Sequence, residues 1–146
     1  MKKLLLTSLF TLVTLVTAQG QTYCVTTAGP SSTADSELTG VQITGDTYSI
    51  SQMDANCGAP GVQDFTATDS ADISTGASYT VSVTQGTCNG SYGGAIAAWI
   101  DYNADGDFDD AGEQLGVYAG TPTSVQDFTF IVPASATLGK TRMRVM

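Results

Sequence analysis

Between Ala98 and Glu113 the chain carries oxygen-bearing side chains at a spacing suited to a hard cation. Asp101, Asn103 and Asp105 fall at every second residue, and Gly106 follows where a tightly curling loop needs a residue tolerant of positive φ. That is the first half of an EF-hand-type calcium loop. In this pattern the first three positions give side-chain oxygens, Asp107 a backbone carbonyl, and Asp109 an oxygen directly or through water. The bidentate acid that should close the loop is replaced by Gly112, and Glu113 comes one residue late, with Asp110 as the alternative closing carboxylate. The expected metal ligands are therefore Asp101, Asn103, Asp105, Asp107, Asp109 and Glu113, and the expected ion is Ca2+.

Asn, Asp and Gly also make ordinary solvated turns. Charge density argues against that reading here. Six of the chain's 14 acidic residues lie within the 13 residues 101–113, with no Lys or Arg among them. Such crowding repels itself unless a cation bridges it.

The elements flanking this stretch are strand-like. Ile96, Ala98 and Ile100 alternate on one face of the lead-in, so the pattern is strand-loop and not helix-loop-helix. A static calcium brace fits that setting better than a sensor that opens a helix pair. Trp99, on the other face, is read either as core filler or as a ligand platform beside the loop.

The rest of the chain has the same character. Period-2 runs bounded by Gly, Pro, Ser or Asp predict strands over Tyr23 to Thr27, Gly40 to Thr44, Thr47 to Ser51 and Gly61 to Thr68. Further strands are predicted over Ser78 to Thr84, Gln114 to Tyr118, Val125 to Val132 and Lys140 to Val145. Asn89-Gly90-Ser91 matches a glycosylation sequon but is read as a turn. Eight or nine short strands with no helical periodicity predict one all-β domain, an antiparallel β-sandwich with a calcium-type acidic loop.

At the N-terminus, Met1-Lys2-Lys3 and an apolar run from Leu4 to Val16 have the layout of a secretory signal peptide, with cleavage after Ala18. The expected division is residues 1–18 as leader and 19–146 as the exported domain, with no membrane insertion after cleavage. Loss of Lys2 and Lys3 would leave three basic against 14 acidic side chains, a formal charge of −11. Nucleic acid and anionic membranes are poor partners for such a surface. The remaining basic residues, Lys140, Arg142 and Arg144, crowd into the last seven residues, where Arg142 and Arg144 share a strand face and are expected either to pair with acidic neighbours or to be solvated.

Cys24, Cys57 and Cys88 are an odd set for an exported chain. Cys57 with Cys88 is the preferred pairing, leaving Cys24 for a partner beyond residue 146, although three pairings are open.

These residues together resemble a GEVED domain, a module of secreted and cell-surface proteins of Bacteroidota and some other bacteria. The resemblance is carried by Tyr23-Cys24, by Asp64-Phe65-Thr66 and by Trp99-Ile100-Asp101-Tyr102-Asn103 with Asp105-Gly106-Asp107-Phe108 and Ala111-Gly112-Glu113. It continues through Phe128-Thr129-Phe130, Pro133-Ala134 and Gly139-Lys140-Thr141-Arg142-Met143-Arg144-Val145. The Gly-Glu-Val-Glu-Asp strand that names the family does not follow, so the domain is expected to be C-terminally incomplete. The resemblance implies a non-catalytic structural or adhesion module of a larger extracellular or cell-surface protein. Its partners would be other domains of that protein, and an extracellular protein or glycan.

The residues agree with a non-catalytic role. The chain has no His, hence no Ser-His-Asp or Cys-His pair, and no nucleophile elbow or P-loop. The alternative function is a carbohydrate-binding accessory module, for which Trp99, Tyr102, Tyr118 and Tyr92 are the aromatic candidates.

Overall fold

The computed structural model describes Tyr23 and residues 36–53, 61–87, 92–121 and 125–146. The leader at 1–18, the three cysteines, Asn89-Gly90-Ser91 and the strand expected after Tyr23 lie outside these residues. Among the described residues seven strands are formed: β1 (Ser36–Ile43), β2 (Ile50–Met53), β3 (Ser78–Thr87), β4 (Gly94–Ile100), β5 (Gln114–Gly120), β6 (Val125–Ile131) and β7 (Met143–Val145). No helix occurs among the described residues.

All strand pairs are antiparallel and form two sheets, one ordered β2-β1-β3-β6 and the other β5-β4-β7. The expected sandwich is thus the observed architecture. Alternation explains which face goes inward. Val81 and Val83 of β3 are fully buried, as are Ile96 and Ala98 of β4, and these meet Ile43, Ile100, Phe130 and Val132 in one apolar cluster between the sheets. The intervening residues face outward, so Thr80, Ser82 and Thr84 put hydroxyls on one outer surface, while Ala95, Ala97 and Trp99 lie on the other. Trp99 is accordingly half-buried on the outer face of its sheet and is not a core residue.

Three strand expectations are corrected, the one over Lys140 to Val145 reducing to Met143–Val145. Residues 61–68 form exposed turns, because Asp64 Oδ1 accepts the Thr66 amide at 2.9 Å and the Phe65 carbonyl accepts the amides of Thr68 and Asp69 at 3.0 and 2.9 Å. These local bonds compete successfully with a ladder partner. The strand expected from Thr47 begins only at Ile50, because the amides of Thr47 and Tyr48 are both taken by Asp72 Oδ1, at 2.8 and 2.6 Å. That contact spans 25 residues and leaves no trace in the local pattern.

Candidate metal centre

The acidic loop is closed at its base, where the Ile100 amide ending β4 donates to the Glu113 carbonyl before β5 at 3.0 Å. Within the loop the every-second-residue spacing becomes a ladder of local hydrogen bonds. Asn103 Oδ1 accepts the Asp105 amide at 3.0 Å, Asp105 Oδ1 the Asp107 amide at 3.1 Å, and Asp107 Oδ1 the Asp109 amide at 3.0 Å. Each side chain thus turns the backbone two residues further on. Gly106 has φ 101°, the left-handed curl expected of it. Ala104 also lies in that region at φ 61°, a conformation costing roughly 1–2 kcal/mol for a residue with a Cβ.

Asp101 frames this spiral from within. It is completely buried, with Oδ1 accepting the Ala104 amide at 2.6 Å and Oδ2 accepting the Gly106 amide at 3.0 Å and the Tyr23 hydroxyl at 2.7 Å. Burial alone would raise its carboxyl, but the hydrogen bonds from Tyr23, Gly106, Ala104 and Asp105 together outweigh it and hold the group below the usual carboxylate range.

The structure draws Asp105, Asp107 and Asp110 together, with carboxylate oxygens within 4.8 Å of one another, all three exposed. Like charges at that distance repel by roughly 1 kcal/mol per pair even at the dielectric constant of water. The Asn103 side-chain amide donates to Asp105 Oδ2 at 2.8 Å and to Asp110 Oδ2, which offsets part of this repulsion. Asp109 lies outside the trio, although its amide belongs to the ladder. Asp107 was expected to contribute its backbone carbonyl; its carboxylate is the group in the trio.

Glu113 lies at the other end of the loop and is 2 % exposed. Its Oε1 accepts the Tyr102 amide at 2.8 Å, whereas Oε2 is buried with no hydrogen-bond partner among the described residues. The Tyr102 hydroxyl is buried in the same condition. Burial first, and the Glu113 charge second, push the Tyr102 phenol up to about 12. A buried carboxylate oxygen without a donor is costly unless something satisfies it.

The loop is tied to distant parts of the chain. Thr137 donates its amide to the Tyr102 carbonyl at 2.7 Å and its hydroxyl to the Asn103 carbonyl at 2.9 Å, and the Thr141 hydroxyl donates to the Asp101 carbonyl. The Tyr23 and Phe108 rings lie 5.7 Å apart, with the Arg142 guanidinium 4.6 Å from the Tyr23 ring centre and that of Arg144 4.4 Å from the Phe108 ring centre. The two arginines are therefore neither simply solvated nor simply ion-paired; their cations rest on aromatic faces. Arg142 also adds, after the Thr66 hydrogen bonds, to lowering the Asp64 carboxyl.

The family model of the GEVED domain matches residues 95–146, from the second residue of β4 through the loop to Met146. The resemblance carried by the motif residues is borne out over that stretch, about a third of the chain. Comparison with curated proteins and with solved structures gives no match.

Sequence reasoning named Tyr23, Phe108 and Thr141 as carriers of the family resemblance, gave them no part in holding the loop, and did not name Thr137. Only Phe108 carried a local signal, as an aromatic residue amid five aspartates of the loop. Of the aromatic candidates for a ligand platform, Tyr102 is buried and Tyr118 packs against the core, leaving Trp99 half-buried and Tyr92 exposed.

Proposed function

We propose that the chain is a non-catalytic structural or adhesion module of a larger secreted or cell-surface protein, in which a divalent cation braces the loop between β4 and β5. The observation that carries this reading is the convergence of the Asp105, Asp107 and Asp110 carboxylates. Carboxylate oxygens are hard ligands, so the trio suits Ca2+ better than a softer transition metal, and a bound ion would take the place of the Asn103 amide that now donates to two of them.

In this reading Asp105, Asp107 and Asp110 supply the first oxygens, and Asn103 and Asp109 stand beside them. Asp101 shapes the loop and Glu113 closes it. The bound ion would supply positive charge to the acidic cluster. The chain's own residues hold the loop against β7 and Tyr23, so the brace would fasten the β4–β5 connection to both.

Extracellular calcium modules bind at Kd of about 10⁻⁴ to 10⁻³ M. Millimolar calcium should therefore raise the melting temperature relative to chelator, and Asp105→Ala should remove the increment. Identical melts in calcium and chelator would reject the brace.

A further inference from the structure

The acidic loop contains the chain's one Asp-Gly pair, Asp105-Gly106. In such a pair the glycine nitrogen can attack the aspartate Cγ, because no Cβ on the glycine shields its amide. A C–N bond forms, the carboxyl C–O bond breaks, and the oxygen leaves as water with the carboxyl and amide protons. The product is a five-membered succinimide. Water then opens either carbonyl of the ring. Opening at the former main-chain carbonyl of Asp105 leaves the chain running through Cβ and Cγ, as isoaspartate. No oxidant, reductant or cofactor takes part.

Both reacting groups are engaged elsewhere in the folded loop. The Gly106 amide donates to Asp101 Oδ2 at 3.0 Å. Asp101 is itself completely buried and fixed, since Oδ2 also accepts the Tyr23 hydroxyl and Oδ1 accepts the Ala104 amide. On the other side, the Asp105 carboxylate accepts the Asp107 amide on Oδ1 at 3.1 Å and the Asn103 side-chain amide on Oδ2 at 2.8 Å. Ring closure needs the Gly106 N–H to be given up and the Asp105 carboxyl to swing onto that nitrogen, and these movements break the bonds at both groups. Exclusion of water is not the obstacle, because Asp105 is exposed.

We propose that Asp105-Gly106 is a latent isoaspartate site, held closed in the folded chain by the Asp101 carboxylate. Asp101 is a positioning residue here: it holds the attacking amide and leaves the Asp105 carboxyl to Asn103 and Asp107. Rearrangement would lengthen the main chain by one methylene and shorten the side chain at 105 by the same, ending the Asp105 to Asp107 step of the ladder. Tyr23, 78 residues before Asp101, secures the arrangement from outside the loop, so the chemical lifetime of the loop depends on that anchor. The proposal rests on these hydrogen bonds and requires no bound ion.

The test is incubation of the chain at neutral pH in chelator, with and without urea, followed by peptide mapping with electron-transfer fragmentation, which separates aspartate from isoaspartate at 105. Isoaspartate should accumulate at least about tenfold more slowly in the folded chain than in urea, the factor that one hydrogen bond to a charged group supplies. Asp101→Ala should bring the rate in buffer close to that in urea, and Tyr23→Phe should raise it by less. Ile96→Ala loosens the core without touching the loop and should leave the rate in buffer unchanged. Equal rates with and without urea would overturn the proposal. So would an Asp101→Ala chain that melts cooperatively yet rearranges no faster than the parent, or an Ile96→Ala chain accelerated as much as Tyr23→Phe, since global opening would then be the cause. If Asp101→Ala does not fold, Tyr23→Phe decides, and a rate equal to the parent's overturns the proposal.

Discussion

Tyr23 joins two chemistries in one side chain. Its hydroxyl reaches the buried Asp101 carboxylate across 78 residues, and its ring lies between Arg142 and Phe108. Hydrogen bonds to charged groups contribute about 1.5–3 kcal/mol. Tyr23→Phe should therefore lower unfolding free energy by about that amount while keeping the aromatic contact, measurable by urea denaturation. Tyr102 offers the opposite case. Its buried hydroxyl has no partner among the described residues, so Tyr102→Phe removes a desolvated polar group and should leave stability unchanged or slightly raised in the same assay.

The clearest pH dependence belongs to an element, the 44–49 loop. The amides of Tyr48 and Thr47 hold the Asp72 carboxyl below its ordinary value of 3.8. A depressed folded-state value means that the unfolded chain takes up the proton first on acidification. The contribution is thus complete above the unfolded value and is lost as pH falls through the lower, folded one. Asp72→Ala should melt below the parent at neutral pH, and the gap should narrow as the pH is taken below about 4. A gap that stays constant down to the acid transition would show that Asp72 acts without its charge. The same element shows why the strand expected from Thr47 starts late: alternation marks Tyr48 and Ile50, but it does not reveal that a carboxylate from another segment takes the amides a strand needs.

At the scale of the molecule, the core joins both sheets. Val81, Val83 and Phe130 from one meet Ile96, Ala98 and Ile100 from the other, so the two cannot unfold independently without exposing the shared cluster. Ile96 is 1 % exposed, and Ile96→Ala should cost about 2–5 kcal/mol in a single transition, with both sheets melting together by circular dichroism.

Sequence by itself determined what depends on neighbours along the chain. The period-2 runs through Tyr79, Val81 and Val83 and through Ile96, Ala98 and Ile100 became strands with those residues inward, and the Asp101, Asn103, Asp105, Gly106 spacing became a spiral with Gly106 at positive φ. These follow from contacts two to five residues apart, which a linear pattern encodes. Tertiary structure alone decided that Asp110, and not Asp109, completes the carboxylate trio, that Trp99 faces outward, and that Tyr23, Thr137 and Thr141 fasten the loop. Those outcomes depend on where the chain returns in space after tens of residues, and on side chains competing there for the same amides. Residue types fix which groups can bond; only packing fixes which of them meet.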